Sequence, residues 1–332
     1  MTANPLSNAR RKVLILGANG RFGLAAAQAF TRAGWDVVAQ VRRTPEAGMP
    51  AGVRCVFTPI TDLDALCEDA AGAAVVVHAL NPAYTRWHTD LLPMARLGMD
   101  IAERLGARFA LPGNVYNFGA GMPARLVEGT PHHPTTRKGK LRDALEAELR
   151  RRAPKLRSLV LRGGDFFGAG SGNWFDLAMV KDVARGRLAY PGTRTLTHAW
   201  AYLPDMAAAL AAVCAAPGLP DAADIHFPGF ALTGDEMLDA LEKAARALGL
   251  GTAQPFRRGG VPWGLMRAGA FVVPIWREVA EMRYLWETPH ALESRAFAAL
   301  APGLRATPLD AALRASLRAL VPGTTAAPAL AA

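Results

Sequence analysis

The apolar positions fall into short runs separated by amphipathic stretches, and the alternation predicts strands and helices in turn. The first run, Arg11-Lys12-Val13-Leu14-Ile15-Leu16-Gly17, is almost continuously apolar and stops at glycine, as a strand buried on both faces does. A helix is expected from Phe22 to Ala33, with Gly34 as its stop. Further strands are expected at Asp36–Val41, near Val53–Phe57, at Ala74–Leu80 and at Arg108–Leu111. Helices at Asp62–Ala70 and Leu91–Leu105 come between them. A helix over Thr136–Arg152, a sixth strand at Ser158–Arg162 and a seventh near Ile225–Phe227 continue the series. The Gly-rich stretch Gly163–Gly172 is expected to lead into another helix and a turn at Pro191-Gly192. Beyond Phe230 the pattern is mostly helical.

Strand and helix alternating through short links imply parallel pairing with helices on both faces. The fold class expected is α/β: a Rossmann-type doubly wound parallel sheet with a smaller, mostly helical C-terminal lobe. The dinucleotide-binding unit is placed at 10–165, with its sheet completed by about 196–228. The substrate-side lobe is placed at 166–195 and 229–322, and a disordered tail at 323–332.

Composition narrows the class. Hydrophobic residues make up 51% of the 332 positions and charged residues 20%, enough apolar material for a large core. The formal charge is +10, but the arginines are scattered and no basic stripe is interleaved with aromatics, so anionic small ligands are expected rather than nucleic acid. Cys55, Cys67 and Cys214 lack metal-ligand spacing and read as free thiols; no metal is expected. The polar start of the chain has no apolar signal core, and the apolar stretch Ala268–Trp276 is too short to span a bilayer. A cytoplasmic protein with no membrane partner is expected.

The chemistry begins at Gly17-Ala18-Asn19-Gly20-Arg21-Phe22-Gly23, a G-x-x-G-x-x-G segment between the first strand and the first helix. Gly17 permits a tight turn, Gly20 lets the backbone approach a diphosphate, and Gly23 lets helix and strand pack closely. The helix start then offers unpaired amides to the phosphates. Asn19, Arg21 and Phe22 belong to this candidate cofactor loop, and Ala79 borders it from the fourth strand. The second strand ends in Gln40-Val41-Arg42-Arg43 with no carboxylate for a ribose hydroxyl. Arg42 and Arg43 therefore favour NADP(H), with NAD less favoured. Asp62 is equally suited to meet the adenine amino group or to cap the following helix.

These features resemble the short-chain dehydrogenase/reductase superfamily, in its extended or atypical branch close to NAD-dependent epimerase/dehydratase proteins. The resemblance rests on Gly17–Gly23, on Val76-Val77-His78-Ala79, on Asn114-Val115-Tyr116, on Arg162-Gly163-Gly164-Asp165-Phe166-Phe167-Gly168 and on Thr197–Asp205. It implies chemistry by a Tyr-x-x-x-Lys pair with a nearby Ser or Thr. In the matching segment Lys140 takes the lysine position, Thr136 stands where tyrosine belongs, and Pro112 occupies the serine position. Three readings stay open: proton transfer by other residues, Tyr116 with Lys140 foremost and His78 or His198 behind them; a non-catalytic NADP(H)-sensing protein; or a Lys140 that merely solvates the basic cluster Arg137-Lys138-Lys140-Arg142.

Between the sixth and seventh strands lie Phe166, Phe167, Trp174, Phe175, Tyr190, His198, Trp200 and Tyr202. They suit a pocket for a flat or apolar small molecule, or an ordinary lobe core. Arg187 and Arg194 are candidate anion contacts. Trp263, Trp276, Tyr284 and Trp286 are expected to pack the C-terminal helices or to form a homodimer surface.

Overall fold

The computed structural model describes residues 10–321; the tail expected over 323–332 lies outside them. Along the chain run β1 (Lys12–Leu16), α1 (Arg21–Arg32), β2 (Asp36–Gln40), β3 (Arg54–Val56), α2 (Leu63–Asp69), β4 (Ala73–His78), α3 (Trp87–Leu105) and β5 (Arg108–Gly113). Next come β6 (Arg125–Leu126), α4 (Arg137–Arg152), β7 (Ser158–Arg162), β8 (Asp165–Phe167), β9 (Arg187–Tyr190), β10 (Thr197–Tyr202), α5 (Leu203–Ala215) and β11 (Ala222–His226). The remainder is β12 (Phe230–Thr233), α6 (Gly234–Ala247), β13 (Arg257–Gly260), α7 (Trp263–Gly269), α8 (Pro274–Ala280), β14 (Ala291–Leu292), α9 (Arg295–Leu300) and α10 (Leu309–Leu320).

The seven-stranded parallel sheet has the order β11-β7-β5-β4-β1-β2-β3. Strand order reverses between β1 and β4, and a crevice opens there at the carboxyl ends of the strands. Successive residues of β1 serve opposite faces: Val13 and Ile15 join a core with α1 and α5, and Leu14 and Leu16 a core with α2, α3 and α4. That division explains the continuous apolar run, because a strand covered on both sides has no polar face. On the first face Ala26, Ala29 and Phe30 of α1 pack with Met206, Ala209 and Leu210 of α5, where small residues permit close approach.

The Gly-rich stretch is followed not by the regular helix expected from sequence but by short turns at Phe175–Met179 and Val183–Arg185. Asp176 holds the first of these, accepting from the amides of Gly172 (2.7 Å) and Asn173 (2.8 Å), and Gly186 ends the second at positive φ. The region expected to be mostly helical also carries strands. β12 pairs with β10, which pairs with β8, in a three-stranded sheet; β13 pairs with β9 and β14 with β6.

Candidate functional site

At the reversal point the chain leaves β1 through Gly17, at a φ of 77°. A Cβ on Gly23 would lie 2.3 Å from the Gly17 carbonyl oxygen, so the helix closes onto the turn only without a side chain there. Gly20 caps α1 with no side-chain acceptor, and the first turn carries no acid. By contrast Asp62, Thr136, Thr233 and Ser294 each cap their own helices with a side-chain oxygen. The start of α1 is thus left with amides directed at the crevice and the positive end of the helix dipole.

Neighbouring side chains hold this turn. Gln40, the last residue of β2, accepts from the Gly17 amide (3.2 Å) and donates to the Thr58 carbonyl (3.1 Å). Asn19 donates to the Thr44 carbonyl and accepts from the Glu46 amide, tying the glycine turn to the loop after β2. Ala79 closes the floor, its amide bonded to the Leu16 carbonyl. Phe22 is buried in the α1 core, so only its backbone faces outward.

Arg42 and Arg43 follow directly after β2 and are exposed, with Arg43 3.4 Å from Glu46. Arg21 instead crosses the crevice to donate to the Gly172 carbonyl (3.3 Å), and its buried Nη1 has no partner in the protein. Burial draws its guanidinium down from the ordinary value. Asp62 accepts from the Ala65 amide (3.2 Å), the capping arrangement of the two considered from sequence. The bare helix start, the close-packed glycines and the orphaned Arg21 nitrogen together fit the diphosphate of a dinucleotide.

Deeper in the crevice the Tyr84 and Tyr116 hydroxyls lie 3.1 Å apart. Burial raises the Tyr116 phenol well above its ordinary value, and nearby Tyr84 and Asp165 add to that; burial raises Tyr84 too. Tyr116 therefore meets a second phenol here, not Lys140, which is exposed on α4. Thr136, at the position where the resemblance would place tyrosine, caps α4 by accepting from the Gly139 amide (3.0 Å). Pro112 brings no donor.

The basic cluster at the start of α4 splits. Lys138 is buried, with its Nζ bonded to Glu278 and, at 2.9 Å, to Glu281, and it lies 5.2 Å from the centre of the Tyr84 ring. Arg137 reaches the same carboxylates. Burial alone would raise the Glu278 carboxyl, but Lys138 and Arg137 hold it below the usual range. The Arg142 guanidinium lies over Trp87 at 5.0 Å.

His78 is buried with both ring nitrogens unpartnered, and burial, reinforced by Arg142, pushes its pKa down to about 3. It is a neutral ring near pH 7 and carries no proton there. His198 bonds Asp165 (2.8 Å) and stacks on Trp286 at 4.2 Å. Asp165 is half-buried, and its charge also acts on Tyr84, Tyr116, Tyr190 and Tyr284.

Phe167, Phe175, Trp200 and Trp286 are fully buried, so the lobe's aromatics chiefly build its core. Arg194 pairs with Asp235 (3.5 Å), and Arg187 opens on a groove of about 390 Å³ lined also by Asp182, Arg257 and Arg258. His132, Glu146 and Asp224 also gather on the β7 side, but the buried Arg162 guanidinium already bonds both carboxylates (2.7 Å each).

Sequence reasoning did not single out Tyr84. A tyrosine in a short turn after Pro82 has no spacing signature, and only the fold sets it against Tyr116. Nor could the local pattern tell the buried Lys138 from its exposed neighbour Lys140.

Three solved structures illustrate the fold. UDP-glucose 4-epimerase from Thermotoga maritima, described with UDP-glucose, is 12% identical over 93% of this chain and 98% of its own, with a TM-score of 0.70. MoeE5, described in complex with UDP-glucose and NAD, is 17% identical over 92% and 97%, with a TM-score of 0.67. L-threonine dehydrogenase from Clostridium difficile is 17% identical over 94% and 98%, with a TM-score of 0.68. No protein-family model and no curated protein sequence matches the chain. At these identities the likeness establishes a shared architecture, the Rossmann-type α/β fold of extended short-chain dehydrogenases and epimerases.

Proposed function

We propose that the chain is a pyridine-dinucleotide-dependent oxidoreductase or epimerase-type enzyme acting on a small carbonyl or secondary alcohol, with its proton chemistry moved away from the Tyr-x-x-x-Lys arrangement. The observation that carries this reading is the uncapped glycine-turn start of α1 at the reversal point, opening toward the Tyr84–Tyr116 pair. In the fold's solved relatives both an epimerase and a dehydrogenase appear, which supports the reaction class and leaves the substrate open.

The amides of the α1 start and the Arg21 guanidinium would hold the diphosphate. When bound, the nicotinamide gives or takes hydride. Tyr116 and Tyr84, kept protonated by burial, donate to a carbonyl oxygen and supply a proton as alkoxide charge develops. Neither serves as a base near neutrality. Asp165, backed by His198, is the cleft's proton acceptor.

Arg42 supports NADP(H), because a guanidinium beyond β2 can grip a 2′-phosphate. The complex of MoeE5 with NAD supports the other cofactor, so the ranking of NAD as less favoured loses its force. A nucleotide sugar, present with two of the similar structures, is the weaker substrate class: Arg194 is engaged with Asp235 and Arg187 faces another groove.

The test is a titration of the wild type and Arg42→Ala with NADPH and NADH, followed by a carbonyl panel with the preferred cofactor. Binding of a reduced dinucleotide is expected, with NADPH affinity falling about ten-fold in Arg42→Ala as a charge-assisted contact is lost. Tyr116→Phe is expected to lower kcat by about 100-fold with binding retained. Absence of binding to either cofactor would overturn the reading, and turnover unchanged in Tyr116→Phe would remove that phenol from the mechanism.

A further inference from the structure

The helical hairpin α7–α8 exposes an apolar tip. Phe271 is 96% exposed and Val272 84%, with Leu265 at 62% and Ile275 at 44% beside them. Fully exposed side chains of this kind, contiguous in sequence, are unusual on a surface facing only water. A Cβ on Gly269 would lie 2.4 Å from the Trp276 ring, so that glycine lets α7 and α8 close on each other and leaves the tip protruding. The tip is therefore held outward by packing at its base.

Its electrostatic setting has one sign. Between Glu242 and Glu278 the sequence holds no acidic residue, but it holds Lys243, Arg246, Arg257, Arg258, Arg267 and Arg277. Arg267 and Arg277 flank the tip and both are exposed. Among the described residues Arg267 has no carboxylate within salt-bridge distance, and Arg277 meets only the neighbouring Glu278, which is already bonded to Lys138 and Arg137. Aliphatic and aromatic side chains at the apex with cations one turn behind them match a surface that is apolar inside and anionic outside.

We infer that the α7–α8 hairpin docks on an anionic lipid surface, with Phe271, Val272 and Ile275 entering the headgroup region and Arg267 and Arg277 meeting lipid phosphates. No helix among the described residues is long and apolar enough to cross a membrane, so attachment is interfacial. This departs from the sequence expectation of no membrane partner, which rested on the shortness of the same apolar stretch. The position of the hairpin gives the docking a second consequence. Glu278 of α8 and the adjacent Glu281 bind Lys138 beside Tyr84, so the lipid-facing element is also the one that closes the crevice.

The test is co-sedimentation of the full chain with phosphatidylcholine vesicles and with vesicles that also contain phosphatidylglycerol, at low and high salt. The wild type is expected to sediment with the anionic vesicles, to stay in solution with the zwitterionic ones, and to be released by salt. Phe271→Ser with Val272→Ser is expected to weaken anionic-vesicle binding by about ten-fold or more, and Arg267→Glu to weaken it as well. Both sites are exposed, so circular dichroism should match the wild type. Failure of the wild type to bind anionic vesicles would overturn the inference. So would binding undiminished in the Ser double variant, which would mark plain charge attraction. Sedimentation velocity without lipid is expected to give the same size for both proteins; a wild-type dimer that dissociates in the double variant would instead assign the tip to a second copy and overturn it.

Discussion

Thr136 and His78 show what single positions decide. Thr136 stands where the resemblance would put a phenol, and the structure gives it another duty, closing the first turn of α4. The loss of the expected acid was legible in the sequence, but the reason the position still matters was not, because a cap is recognised only once the helix start is fixed. Asp62 is the converse case: both its roles were legible, and the amide of Ala65 selects one. His78 looked like a proton carrier because its pattern places it at a strand end by the crevice. Burial instead keeps it neutral, with a folded pKa of about 3, as it does His290. Each folded pKa lies below the unfolded value of 6.5, so as pH falls below 6.5 the unfolded chain takes up protons that the folded chain refuses. Stability is then lost with falling pH until about pH 3. Between pH 7 and pH 5 each ring accounts for up to about 2 kcal/mol. Urea unfolding at the two pH values should show that drop, and His78→Leu should shrink it by about half; an equal drop in the variant would show that His78 does not titrate as its burial dictates.

Among the elements, the long strands and helices of the main sheet were readable because each carries a local periodicity. β6 and β14 have two residues each, and β13 reads Arg-Arg-Gly-Gly with every side exposed, so none of them advertises itself. They exist only as pairings between segments far apart in sequence. The same distance hides the ion pair that fastens α8 to α4. A lysine at the start of a basic helix reads as solvated, yet Lys138 is buried because carboxylates some 140 positions later reach it. Glu278→Gln removes one charge from that buried set and should destabilise the protein by about 3 kcal/mol. Adding Lys138→Met should recover part of the loss, since no unpaired ammonium then remains. Chemical denaturation of the three proteins measures this, and a single variant as stable as the wild type would show that Glu281 alone satisfies the lysine.

On the scale of the molecule, alternating side chains of one sheet feed two separate cores. The core on the α1 and α5 face is built mainly from the sheet, those helices and α9. The other is continuous from Leu14, Val76 and Phe109 through Trp200 and Trp286 to Leu238 and Leu317. Sequence boundaries at 166–195 and 229–322 separate stretches of chain, but the apolar interior runs across them. A chain ending at residue 228 is therefore expected to expose that interior and to aggregate, and the whole chain to melt in one calorimetric transition; two resolved transitions would show that the lobe folds on its own.

That shared interior limits what recombination can do with this architecture. The C-terminal lobe is the half of a nucleotide-dependent enzyme that is usually exchanged to alter what it accepts. Here it cannot be lifted out as a cartridge, because it would take with it the packing beneath the strands that shape the cofactor crevice. A chimaera would have to bring matching residues at Leu14, Val76 and Phe109, or be redesigned around them, before any change of specificity could be observed.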